Sequence, residues 1–123
     1  MMYAVLCYAS EEVVGSWSKE EDEAVMEKLA VVQNRLIQQG RLGPVARLLP
    51  TTAATTVRKG REPFVIDGPF AETKEQLLGF YLIDCADLDE AVQTAKELAE
   101  ANGAPGAYEL RPVGYLRQGG EAP

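Results

Sequence analysis

The run Asp67-Gly68-Pro69-Phe70-Ala71-Glu72-Thr73-Lys74-Glu75 gathers carboxylates, a hydroxyl and an ammonium around a Gly-Pro corner. Acids at that spacing can give and take a proton while a nearby cation stabilises developing charge, which makes Asp67 and Glu72 the candidate acid–base residues. Gly68, Pro69, Phe70, Thr73, Lys74 and Glu75 are the candidate ligand contacts, on a loop the corner would pre-organise at the mouth of a cleft under a sheet. A structural reading stands beside this one. In it Asp67 accepts downstream amides, Gly68 takes a positive φ, Pro69 fixes its own, Phe70 is a plug, and Glu72, Lys74 and Glu75 are solvated. Farther along, Glu109 and Arg111 lie two apart in "YELRPV". On a strand that is about 7 Å, so the two can pair or share one polar object, and Arg111 joins the ligand-binding set as an anion-orienting cation.

Other chemistry is narrowed by what is missing. The chain has no histidine, so the usual general base near neutral pH is absent and acid–base work would fall to carboxylates. Its two cysteines, Cys7 and Cys85, show no C-x-x-C spacing; they make neither a disulfide framework nor a zinc site, and no metal is expected. No cofactor is specified by these residues. Tyr3, Tyr8 and Tyr81 fall in strand-like runs and read as core or interface, and Trp17 as a staple at a helix entry.

These residues must be held by elements that the pattern of the chain suggests. "MYAVLCYAS" (Met2 to Ser10) reads as a central strand, apolar on both faces. Ser18-Lys19-Glu20-Glu21 is a capping box, and Val25, Leu29, Val32 and Leu36 mark one apolar stripe of a helix over about 19 to 39, stopped near Gly40. "PVARLLP" (Pro44 to Pro50) predicts a second strand. "ATTVR" and "EPFVID" flank Lys59-Gly60-Arg61 as a hairpin, and "LLGFYLIDC" (Leu77 to Cys85) is another core strand. A second capping box at Asp87 to Glu90 starts a helix over about 88 to 101, whose stripe is Leu88, Ala91, Val92, Ala95, Leu98 and Ala99. "AYELRPVGYL" is the last strand, and residues 117–123 form a Gly- and Pro-containing flexible tail. The order β-α-β, hairpin, β-α-β predicts an α+β fold of the ferredoxin-like split βαβ kind with an inserted hairpin. Both helices then cover one sheet face. The other is left bare and needs cover, most simply a second copy of the sheet in a homodimer.

A chain of 123 residues with 46% hydrophobic and 25% charged residues fits one domain with a real core. The net charge of −7, with scattered basic residues, repels a phosphate backbone and excludes nucleic acid as a partner. No apolar run approaches the roughly 18 residues that span a bilayer, and the N-terminus has no signal-peptide pattern, so no membrane partner and a cytoplasmic location are expected.

The string "DGPFAETKEQLLGFYLIDCADLDEA", with Gly40-Arg41-Leu42, "TTVR" (Thr55 to Arg58) and "ELRPV" (Glu109 to Val113), resembles the YCII-related family. Within it the string resembles the DGPF-domain branch, named for the tetrapeptide at Asp67 to Phe70. The resemblance covers residues 1–116 as one domain and implies a ferredoxin-like fold assembled as a dimeric α+β barrel. It implies little about chemistry, since most DGPF-domain proteins have no assigned activity and genes of this branch often neighbour those of extracytoplasmic-function sigma factors. A His-Asp pair has been proposed as catalytic in the YCII branch; with no histidine here, only an acid such as Asp67 could correspond. Two functions are weighed. One is a small-molecule enzyme or binding protein, holding a small polar ligand in a cleft between sheet and DGPF loop. The alternative is a non-catalytic dimeric accessory protein linked to a sigma-factor system. An internal cavity with convergent polar groups would favour the first, and a tightly filled interior the second.

Overall fold

The computed structural model describes residues 1–120; the expected tail, 117–123, lies partly outside the described residues. The elements follow in order β1 (Met2–Ala9), α1 (Glu11–Gly15), α2 (Lys19–Gln38), β2 (Leu42–Arg47), β3 (Thr55–Arg58), β4 (Phe64–Asp67), β5 (Gln76–Asp84), α3 (Leu88–Asn102) and β6 (Gly106–Pro112). The main sheet runs β2-β5-β1-β6, and every neighbouring pair is antiparallel. That order is the ferredoxin-like one, reached by two βαβ units whose strands interleave. β3 and β4 form a sheet of their own, with Thr55 opposite Asp67 and Arg58 opposite Phe64.

Local chemistry accounts for the helices. In α2 the Ser18 hydroxyl takes the Glu21 amide at 3.1 Å while the Glu21 carboxylate takes the Ser18 amide at 3.1 Å, so the capping box closes in both directions. The stripe it introduces faces the sheet, with Leu29 and Leu36 buried and Val25 and Val32 packed against them. At α3 only half of the expected box forms. Asp87 takes the Glu90 amide at 2.9 Å, but the Glu90 carboxylate takes the Ala86 amide at 3.1 Å and faces Arg41 at 3.3 Å. The α3 stripe is also rotated from the expected one. Ala91, Thr94, Ala95 and Leu98 are buried while Leu88 is 55% exposed, because Thr94 turns its hydroxyl to the Glu90 carbonyl at 2.9 Å and to Arg41 at 2.8 Å and so can be buried with its polar atom satisfied. Gly103 ends the helix at φ +75°, a left-handed position suited to glycine.

Two further departures have local causes. α1 is a single turn capped by Ser10, too short to leave a periodic trace. The second strand begins at Leu42 rather than Pro44 and ends at Arg47 rather than Pro50; Pro44 sits within it where the β2–β5 register shifts between Leu42 and Val45. β2 is an edge strand, where a missing amide costs least.

Tyr3, Val5, Tyr81 and Ile83 point to the helices and form the core with Leu29, Leu36, Ala91, Ala95 and Leu98. The alternate residues Met2, Ala4, Leu6, Tyr8, Phe80 and Leu82 face the other way, and none is fully buried. Tyr3 and Tyr81 are therefore core residues, and Tyr8 belongs to the bare face. Cys7 pairs with Gly79 while the Cys85 amide donates to the Met1 carbonyl, so the thiols stand some six residues, ~20 Å, apart along the strands. Both are free.

Candidate functional site

The loop at Asp67 is held by backbone rather than by its carboxylate. Gly68 takes φ +109° and donates its amide to the Ala54 carbonyl at 2.8 Å, while the Thr56 hydroxyl donates to the Gly68 carbonyl at 2.8 Å. Asp67 is exposed and, among the described residues, its side chain takes no hydrogen bond, which corrects the expectation that it accepts downstream amides. Phe70 is not a plug but 77% exposed, with the Arg58 guanidinium 5.4 Å from its ring centre. Thr73 donates to the Glu75 carbonyl at 2.5 Å, and Glu72, Lys74 and Glu75 are exposed. Arg111 pairs with its strand neighbour Glu109 through Nε at 2.8 Å, and both are exposed on the bare side of β6.

The roles of Asp67 and Thr56 can be separated by stability. Asp67→Ala should leave the denaturation midpoint within error, whereas Thr56→Val, which removes the hydroxyl tie, should cost about 1 kcal/mol. Equal losses in the two variants, read by urea denaturation, would contradict this assignment.

A cavity of about 570 Å³ opens elsewhere, between α2 and the helix-facing side of the sheet, where β1 and β2 end and β5 and β6 begin. The wall is mostly aliphatic and aromatic, with Trp17, Val25, Met26, Leu29 and Val45 on it. Trp17, expected as a staple at a helix entry, lines this cavity, and its amide donates to the Val14 carbonyl of α1 at 3.2 Å. None of the residues from 67 to 75 lies on the wall.

Polar groups converge on the sheet side of this cavity. Cys7 and Tyr108 are directly paired across β1 and β6, and Tyr81 stands two residues beyond the Gly79 that faces Cys7. The Cys7 thiol donates to the Val5 carbonyl at 3.6 Å, and Tyr108 stands beside it on the neighbouring strand. Gln33 of α2 lines the same cavity. Burial pushes the Cys7 thiol up to about 12, partly offset by the neighbouring Tyr108. Burial likewise raises Tyr81 and Tyr108, and the neighbouring Cys7 raises both further. The group is neutral at physiological pH: three weak donors, no thiolate and no phenolate.

The charged residues on the wall are already matched. Arg47 holds both oxygens of Asp22 at 2.9 and 3.3 Å. Glu11 takes the Thr51 amide at 2.5 Å and its hydroxyl at 2.7 Å, while the Glu11 amide donates to Gln76 at 3.0 Å. These bonds fasten α1 over the mouth. Sequence reasoning missed the cavity because its residues come from seven elements and the loops between them. The available signal was the side-chain alternation, which put Cys7, Tyr81 and Tyr108 on one face.

The sign of the thiol shift gives a test. A raised folded-state value means that folding favours the protonated thiol, so this stabilisation is complete below pH ~9 and is lost as pH rises from there through about 12. Melting temperature should therefore fall more steeply above pH 9 in the wild type than in Cys7→Ala. Parallel slopes would refute it.

An antiparallel four-stranded sheet with two long helices on one side and a neutral cavity beneath one of them defines a ferredoxin-like α+β domain with room for a small molecule. The chain belongs to the YCII-related family, whose domain model matches residues 1–116. It is similar to an uncharacterized protein of Rhizobium meliloti (strain 1021), at 60% identity over 120 residues, 97% of each chain. Among the described residues no helix is long and apolar enough to cross a membrane.

Proposed function

We propose that this YCII-related protein binds a small molecule in the cavity between α2 and the sheet. The observation that carries the reading is a volume of about 570 Å³ lined by apolar side chains together with Cys7, Tyr81 and Tyr108 of the sheet and Gln33 of α2, the mostly apolar, partly polar make-up of ligand pockets. A tightly filled interior would instead have favoured the accessory reading. The cavity's titratable donors are held in their neutral forms, so binding is supported and a nucleophilic cysteine is not. A ligand-detected NMR screen of a fragment library tests the proposal. Fragments should bind the wild type and lose binding in Val45→Trp, which fills the cavity from its β2 wall; fragments that bind both alike would refute it.

The DGPF loop supports a second reading, that of a polar ligand held by Asp67, Glu72, Lys74 and their neighbours with Asp67 or Glu72 in acid–base work. Its support is the pre-organised corner at Gly68 and the Arg58–Phe70 contact. The placement in the DGPF-domain branch rests on the same tetrapeptide. Exposed as they are, these residues would need a second surface to enclose a ligand, and the homodimer supplies one. The dimer forms through the bare face, where Leu6, Phe80 and Leu82 lie half-buried; a few hundred Å² of such surface is worth several kcal/mol at ~25 cal/mol per Å². Light scattering should give twice 13.4 kDa at micromolar concentration. A monomer there would remove both the dimer and the loop site.

A further inference from the structure

We infer that α1 is a movable cover over the α2–sheet cavity, latched through Glu11 and Gln76, and that the latch links the cavity to the loop from Asp67 to Glu75. The inference rests on the cavity being a binding site and concerns how a ligand enters it. Val14 and Gly15 of α1 line the cavity, with Glu11 at one end of the turn and Trp17 just past the other. Yet none of the five residues of α1 is buried. A helix this short is not stable on its own, so the position of α1 depends on what ties it down. Lids are drawn from such weakly held segments.

The ties are hydrogen bonds to side chains. The Glu11 carboxylate takes the Thr51 amide at 2.5 Å and the Thr51 hydroxyl at 2.7 Å, and the Glu11 amide donates to the Gln76 side chain at 3.0 Å. Thr51 follows β2 and Gln76 opens β5, so both anchors belong to the body of the domain. The other strap beside the cavity differs. Arg47 and Asp22 join β2 to α2, and α2 is itself held in the core by Leu29 and Leu36. That strap is a fixed post, whereas α1 has no buried side chain to anchor it. Gln76 also reaches the other way. Its Nε2 donates to the Thr73 carbonyl at 2.5 Å, and the Thr73 hydroxyl donates to the Glu75 carbonyl at 2.5 Å. The end of the loop is therefore folded onto the side chain that holds α1. A contact that pulls on the loop loosens the cover, and a cover closed over a ligand steadies the loop, the reciprocity that such coupling must obey.

The two cysteines report the cover without a ligand. Cys7 lies half-buried on the cavity wall, while Cys85 is buried outside it. Both thiols of the full chain should be labelled with iodoacetamide and their rates followed by mass spectrometry. Glu11→Ala removes both carboxylate bonds and should label Cys7 about tenfold faster, the factor that one charge-assisted hydrogen bond is worth. Gln76→Leu removes the amide tie together with the link to the loop and should also speed Cys7. Glu11→Gln keeps one acceptor oxygen, so its rate should fall between those of the wild type and Glu11→Ala. Cys85 should keep its wild-type rate in all three. A Cys7 rate left unchanged by Glu11→Ala or by Gln76→Leu would overturn the latch, and a Cys85 rate rising in step with Cys7 would replace the cover with a general loosening of the fold. Because no ligand takes part, a failed cover leaves the cavity reading standing, and fragments that ignore the cavity leave the labelling result standing.

Discussion

Gly106→Ala should lose about 3 kcal/mol of stability, a large effect for one methyl group. A Cβ at this position would stand 2.1 Å from the Tyr8 carbonyl oxygen and 3.1 Å from the Ala9 Cα. Neither atom can retreat cheaply, because Gly106 faces Ala9 in the β1–β6 ladder and the ladder must shift as a whole. Overpacking of this kind typically costs 1 to 3 kcal/mol, about the upper end where backbone has to move. Gly15→Ala is the control. Nothing lies within 4 Å of its added methyl, and alanine is the better helix former, so it should leave stability unchanged or slightly higher. Urea denaturation of the two variants decides the matter; similar midpoints would show that the β6 entry is looser than its geometry implies. Gly106 also lies on the cavity wall with Ala107 and Tyr108, so the alanine variant should weaken any fragment that binds the wild type there as well.

Arg41→Met should cost about 3 kcal/mol, close to 10 °C in melting temperature for a chain of this size. Arg41 stands between the end of α2 and the start of β2 and ties together elements far apart in sequence. Its Nε donates to the Asp84 carbonyl at 3.0 Å, and its Nη2 reaches the Thr94 hydroxyl at 2.8 Å and the Glu90 carboxylate at 3.3 Å. The side chain is 19% exposed, so these bonds are sheltered and methionine replaces only its stem. Arg41→Lys should recover part of the loss, since an ammonium cannot reach all three partners at once. A methionine variant within 1 kcal/mol of the wild type would show the cluster to be solvent-compensated.

How much of this could be read from the residues depended on how local the signal was. Ser18 and Glu21 announce α2 within four positions, and the stripe from Val25 to Leu36 repeats often enough to fix its buried face. The split βαβ order followed once the strands were placed. β2 was shifted because Gly43-Pro44 resembles a boundary and is in fact a register shift on an edge strand. The α3 stripe was misjudged by counting only apolar residues, when Thr94 earns its burial through Arg41. The cavity was hidden for a different reason: Cys7, Gln33, Tyr81 and Tyr108 meet only in three dimensions. Asp67, flanked by Gly-Pro, gave a strong local signal for a corner, and the corner exists, but Thr56 and the Gly68 amide make it.

The β3–β4 hairpin is a sheet of its own with Val57, Phe64, Val65 and Ile66 exposed, and this divides the molecule dynamically. Two paired strands without a core to lie on are only marginally stable, so the hairpin should open and close many times while the four-stranded sheet stays shut. Its amides would then exchange with deuterated water through local opening, and those of β1 and β5 through global unfolding alone. Whatever docks on the hairpin would slow the first set of amides and leave the second untouched, giving the loop at Asp67 a clock of its own.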